Sequence, residues 1–302
     1  MANEIPNYTI RPMRRDEIPD VLELWRDTGL SEGTHSLDTW YSHDPEGFFV
    51  AVTDDGTVIG ACAGVLQNED LAFVGLYVVK DNYRRRGIGM KIWSAVMERI
   101  GDRNVGVNPV PEQLENYRDK SGFPVQTSWS SKVSAAETVD TTKLSHDLPE
   151  IAVRELSSGN VDLVDKVVAY DADVCSFTRG DLVPLLCDQE DSVTMVALRD
   201  GEVCGYGNIK KNIKGNTIIG PLYADCGEIA EKILDELVNA FPLAREEGAL
   251  IFTVDNNGSA MEILEKLGFE TDCVISRLYR KEEVDVKFDK IFAQYNLNFS
   301  IF

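Results

Sequence analysis

Val78-Val79-Lys80-Asp81-Asn82-Tyr83-Arg84-Arg85-Arg86-Gly87-Ile88-Gly89-Met90 joins an apolar run to a helical pattern. After the loop, Ile88, Ile92, Val96 and Ile100 recur every four residues, with Trp93 and Met97 beside them. This reads as a buried strand, a turn, and a helix packed on a sheet by one apolar stripe. The turn holds three consecutive arginines and two glycines. A helix start offers unpaired N–H groups and a partial positive charge, glycines let a ligand approach the amides, and arginines make charge-assisted bonds to phosphate oxygens. A pyrophosphate site is predicted; the competing reading is a solvated basic turn. The dinucleotide fingerprint would need glycine where Ile92 stands. The P-loop would need Lys after its second glycine, where Met90 stands.

Working outward, the chain repeats itself. Phe48–Val52, Asp55-Gly56 and Val58–Gly60 read as strand, tight turn and strand, and so do Val193–Leu198, Asp200-Gly201 and Val203–Gly205. Gly56 and Gly201, Gly60 and Gly205, and Gly75 and Gly220 are each 145 residues apart, and Gly122-Phe123 and Gly268-Phe269 are 146 apart. Several landmarks in order at nearly one offset predict two copies of one fold. Each copy is read as helix, three strands, helix, strand and helix. In copy two, Ile229, Ile233, Leu237 and Phe241 repeat the helical stripe, but Tyr223-Ala224-Asp225-Cys226-Gly227-Glu228 replaces the arginine loop. The polar stretch 130–149 is expected to be a linker or in part the last strand of copy one. The expected division is therefore 1–130, 131–149 and 150–302.

Composition narrows the function classes. The chain has 302 residues and a formal charge of −21, with 43% hydrophobic and 27% charged residues. That is a folded, two-domain composition rather than a disordered one. The acidic excess is shared by both halves, −9 over residues 1–150 and −12 over 151–302, so no basic face for nucleic acid is expected. No apolar run reaches membrane-spanning length. The amino terminus lacks a basic-then-apolar leader, and the six cysteines contain no CxxC pair. A cytoplasmic protein with free thiols is expected. His35, His43 and His146 have no metal-ligand spacing, so no metal is expected. The aromatic tail Phe288–Phe302 is expected to pack on a domain or on the seam between domains.

Arg84-x-x-Gly87-x-Gly89 after a strand resembles the signature of the GCN5-related N-acetyltransferases, and the later helix running into Gly122-Phe123 resembles their second landmark. The resemblance covers residues 8–129. Residues 151–280 resemble a degenerate second copy, similar to the C-terminal domains of tandem acetyltransferases of the YitH/HolE type. The implied fold is α/β (α+β): two tandem domains, each a mixed, mostly antiparallel sheet flanked by helices. The implied cosubstrate is acetyl-CoA, lying where the third strand splays from its neighbour. Tyr77, Val78 and Val79 would then hold the acetyl and pantetheine groups through their backbone. Arg85, Arg86, Gly87, Ile88, Gly89 and Met90 would hold the pyrophosphate, with Arg84 ordering the loop.

The implied reaction is direct acetyl transfer to a primary amine of a small molecule. The alternatives are a protein lysine or N-terminal acetyltransferase, or an acyl-CoA-binding protein without activity. The resemblance implies a tyrosine four residues before Gly122 as the acid that protonates the CoA thiolate. Arg118 stands there and Tyr117 is one residue away, so Tyr117 reaches the sulfur only if the helix is locally rewound. Glu69, or Asp70 beside it, is the candidate base, against a solvated acidic turn. Copy two, with carboxylates in place of the arginines and Leu264 in place of the tyrosine, is expected to bind no acyl-CoA.

Overall fold

The repeat appears as two passes along one chain path. The computed structural model describes residues 6–145 and 147–302; the amino-terminal residues 1–5 and His146 lie outside the described residues. Copy one runs β1 (Tyr8–Pro12), α1 (Ile18–Arg26), α2 (Ser36–His43), β2 (Phe48–Thr53), β3 (Val58–Leu66), β4 (Leu71–Val79), α3 (Ile88–Ile100), β5 (Asn104–Val107), α4 (Leu114–Lys120) and β6 (Val125–Ala136). Copy two runs β7 (Ile151–Glu155), α5 (Val161–Cys175), α6 (Leu182–Cys187), β8 (Ser192–Arg199), β9 (Glu202–Lys211), β10 (Thr217–Ala224), α7 (Gly227–Ala240), α8 (Leu243–Glu247), β11 (Ala249–Val254), α9 (Gly258–Leu267) and β12 (Glu270–Tyr279). A tail follows and carries β13 (Ile291–Ala293).

The apolar stripes seat the helices. Ile88, Ile92, Val96 and Ile100 of α3 are all buried, as are Ile229, Ile233 and Leu237 of α7. Glycines in the sheet let these helices come close. A Cβ on Gly60 would stand 2.9 Å from Ile92, and one on the equivalent Gly205 would stand 2.8 Å from Ile233, tighter than packed side chains tolerate.

One sheet runs through the molecule in the order β1-β2-β3-β4-β5-β12-β6-β11-β10-β9-β8-β7, with β13 added beside β10. Pairs β4–β5 and β10–β11 are parallel. At the centre the copies exchange their last strands. β6, from copy one, pairs with β11 of copy two from Ala136↔Ala249 to Ser131↔Val254. β12, from copy two, pairs with β5 of copy one at Leu278↔Val107 and Tyr279↔Gly106, and β6 and β12 pair with each other. A division after residue 130 therefore falls inside a strand. Nor is the rest of 131–149 free chain, because Val139 and Leu144 are buried in the core of copy two.

Three cores result. One outer core lies under α3 and α4 of copy one, another under α7 and α9 of copy two. The inner core, shared by both copies, gathers residues of α1, α2, α5 and α6 around the tail, with Tyr295, Phe299, Ile301 and Phe302 buried in it. The six cysteines are free thiols. No described helix is long and apolar enough to cross a membrane.

Candidate active site

The parallel ladder between β4 and β5 runs from Leu71↔Asn104 only to Val74↔Val107. Beyond it the strands part, so Gly75–Val79 has no strand on that side. On the other side β3 pairs with Gly75 and with Val78 but skips Leu76 and Tyr77. Leu76 takes a left-handed φ of 50°, which marks a bulge at the point of divergence. The result is a cleft with exposed main chain along one wall, flanked by α3 on one face and α1 on the other.

The cleft leads to the arginine loop. A 3-10 turn over Asp81–Tyr83 delivers Arg84, whose Nε donates to Val79 O at 2.9 Å and whose guanidinium pairs with Asp81 at 3.0 Å. Arg84 thus ties the loop to the end of β4. Arg85 and Gly87 both have positive φ, 61° and 79°, and no side chain caps α3. Its first ladder bond runs from Lys91 N–H to Gly87 O at 3.3 Å, so the N–H groups of Ile88, Gly89 and Met90 have no carbonyl of the helix to bond. Arg85 and Met90 are exposed beside this bare terminus. Gly89 answers a further constraint: a Cβ there would stand 2.5 Å from the Tyr77 hydroxyl. The Tyr77 ring itself is 40% exposed and packs beside Trp93 of α3.

Tyr77, Trp93, Tyr117 and Phe123 form a chain of rings with centroids 5.5–6.1 Å apart. The register doubt over Tyr117 resolves in the backbone. Ser121 N–H bonds to Asn116 O at 3.1 Å, and Phe123 N–H bonds to Tyr117 O at 3.3 Å. These are spans of five and six residues, so the last turn of α4 is wound wide and absorbs one extra residue, as π-type turns do. In copy two, Phe269 N–H bonds to Leu264 O at 2.9 Å. Tyr117 is therefore the spatial counterpart of Leu264, and Arg118 turns outward to pair with Asp119. Burial, then the neighbouring Cys62, pushes the Tyr117 phenol well above its ordinary range. The same two influences push the Tyr77 phenol up to about 12. Both are protonated near neutral pH.

Glu69 is not brought to this place. It lies with Asp70 in the exposed turn at the start of β4, six residues before Gly75 and about 20 Å away at the rise of an extended strand. Leu24, Asp27 and Thr28 of the α1 side, with Val78, Lys80 and Arg84, line an open groove beside the cleft, and Asp20, Glu23 and Asp55 line its continuation. Among the described residues no group of histidine, cysteine and carboxylate side chains could hold a metal ion.

In copy two the same divergence exists, but it is filled. β10 and β11 pair from Thr217↔Ala249 to Ile219↔Ile251. Then β13 enters the gap, with Ala293 opposite Leu222 and Ile291 opposite Tyr223, while Gln294 N–H reaches across to Phe252 O at 2.7 Å. Asn257 holds this segment through its amide, which donates to Phe288 O (3.0 Å) and Ile291 O (2.9 Å). Where copy one has arginines, Asp225 pairs with Lys290 of the tail at 2.8 Å. Sequence reasoning placed the tail on a domain or seam but missed its course through this gap.

Comparison with known proteins agrees with this fold. Residues 11–110 match the model of the acetyltransferase (GNAT) family and residues 167–293 that of an acetyltransferase (GNAT) domain. The chain is 25% identical over 276 residues to holothin acyltransferase of a Pseudoalteromonas strain, covering 90% of this chain and 86% of that one. It is 22% identical over 249 residues to the N-acetyltransferase YitH of Bacillus subtilis, covering 82% of each. Among solved structures, a Pyrococcus horikoshii protein described as a putative acetyltransferase superposes with TM-score 0.74 over 98% of this chain and 97% of that one, at 18% identity. A tandem GNAT protein from the clavulanic acid pathway superposes with TM-score 0.65 over 90% and 98%, at 16% identity. The chain belongs to the GCN5-related N-acetyltransferase superfamily, as a tandem protein with two GNAT domains. It is an acyltransferase.

Proposed function

We propose that copy one moves an acetyl group from acetyl-CoA to a small primary amine, and that copy two binds no acyl-CoA. The observation that carries this reading is the open main-chain edge of Gly75–Val79 running into a bare helix terminus with arginines beside it. The residues fit the cosubstrate: Ile88, Gly89 and Met90 offer amides to a diphosphate, Arg85 and Arg86 add charge, and Tyr77, Val78 and Val79 offer backbone groups to the pantetheine and the thioester. The amine nitrogen attacks the thioester carbonyl, the C–N bond forms and the C–S bond breaks. Water in the groove takes the nitrogen's proton. A backbone N–H at the bulge stabilises the developing oxyanion, and the Tyr117 phenol, kept protonated by burial, supplies a proton to the departing thiolate.

A small acceptor follows from the walls of the site. Leu76 and Val78 are buried on the α1 face, so access there is through the groove beside Leu24 and Thr28. Asp27 in that groove favours a cationic amine. The test is release of CoA thiol against a panel of amines, with calorimetric titration of CoA. Turnover with at least one small amine and one CoA per chain are expected. CoA binding without turnover on any amine or peptide would reduce the protein to a binding module, and two CoA per chain would contradict the silence of copy two.

A further inference from the structure

We propose that the cleft of copy one is a blind pocket, stopped by the backbone of the tail at Leu297–Asn298, which admits acetyl and propionyl groups and excludes longer acyl chains. This rests on reading the cleft as the acyl-CoA slot. A cosubstrate anchored at the α3 loop enters along β4 from Val79 toward Gly75, about 13 Å of extended strand. Its acyl carbons then point at the place where the strands rejoin, and that end is walled on three sides. In the plane of the sheet, the pair Val74↔Val107 closes it. On the α3 face, the buried Cys62 thiol lies 3.8 Å from Gly75 O. On the α1 face, the Asn298 carbonyl stands so close that a Cβ on Gly75 would collide with it.

The third wall is fixed in place. Asn108 Nδ2 donates to Leu297 O at 3.0 Å, and Asn298 Nδ2 donates to the buried Glu32 carboxylate at 2.9 Å. Gln67 Nε2 donates to Phe299 O at 2.8 Å, and Arg277 Nη1 donates to Ile301 O at 2.5 Å. Gln67, Glu32 and Arg277 are each at most 3% exposed. A stop built from main chain held by buried side chains does not yield to an added methylene as a flexible side chain would. It also leaves the loop and the thioester position untouched, so the tail limits acyl length rather than cosubstrate binding.

The full-length protein is titrated calorimetrically with CoA, acetyl-, propionyl-, butyryl- and hexanoyl-CoA. CoA, acetyl-CoA and propionyl-CoA are expected to bind within about threefold of one another, and hexanoyl-CoA at least about tenfold more weakly. Hexanoyl-CoA binding as tightly as acetyl-CoA overturns the blind pocket, whereas failure of CoA itself to bind overturns the cleft reading beneath it. Gln67→Ala removes one anchor of the tail away from the cosubstrate path. It is expected to narrow the acetyl–hexanoyl gap at least threefold or so with CoA affinity unchanged. An unchanged gap in that variant, with its melting transition intact, would assign the stop to the strand ladder and overturn the role of the tail.

Discussion

Copies one and two part the same pair of strands at the same glycine, Gly75 and Gly220, yet one gap is open and the other holds the chain's own β13. The difference lies in what each gap leads to. In copy one it opens on Arg84–Gly87 and a bare helix terminus. In copy two it opens on Asp225, which Lys290 of the tail neutralises. A carboxylate at the mouth disfavours phosphate, and unpaired strand edges are costly to leave buried. A three-residue strand of the same chain satisfies that edge permanently. The sign of the charge at the mouth differs between the open gap and the filled one.

The comparison breaks most readily at the helix starts. Gly87→Trp places a ring where phosphate would lie; the new Cβ meets no protein atom within 4 Å, though the left-handed φ of 79° strains any side chain there. CoA affinity by calorimetry is expected to fall at least about 100-fold while the far-UV spectrum is unchanged. Gly227→Trp, at the start of α7 in copy two, should leave CoA affinity where it was. The next effect concerns the ring at the end of α4. Tyr117→Phe keeps the packing against Trp93 and removes the proton, so kcat is expected to drop about 100-fold with KM little changed; an equal loss from Leu264→Ala would show that the assignment to copy one is wrong.

A smaller effect sharpens the account of copy two. Asn257→Ala removes the amide that holds Phe288 and Ile291 and the carbonyl that caps α9 at Ala260. Stability in urea is expected to fall by about 2–3 kcal/mol, with one CoA still bound per chain. A comparable effect is a pH slope. Burial pulls Lys210 down to about 8 from 10.5, against the opposing charge of Glu32. Between those values the unfolded chain binds more protons than the folded one, so stability rises with pH from about 8 to 10.5. Lys210→Met should flatten that rise, measured as urea midpoints across the interval.

Local patterns carried most of this fold into the sequence. The Asp-Gly turns, the four-residue stripes and the arginine loop are short-range signals, and each marked a real element. The position of Tyr117 was visible but its register was not, because a widened turn is decided by which carbonyl Ser121 and Phe123 choose, not by side-chain type. Glu69 was placed near the chemistry because the turn is close to β4 in sequence; the length of that strand sends it to the opposite end. The strand exchange leaves almost no trace. β6 buries Thr127, Trp129 and Ser131 at every second position, a period of two that would suit either partner. The course of the tail was hidden for a related reason: β13 binds through its main chain, which every residue possesses.

The exchange also dictates when the protein can finish folding. The β5 edge of copy one waits for Leu278, 171 residues after its partner Val107. At roughly 5–20 residues per second, a ribosome needs about 10–30 s to synthesise that interval. For that time the nascent half-protein exposes an unmated strand edge beside the cleft of copy one. An edge left open that long is a place for mispairing until β12 arrives.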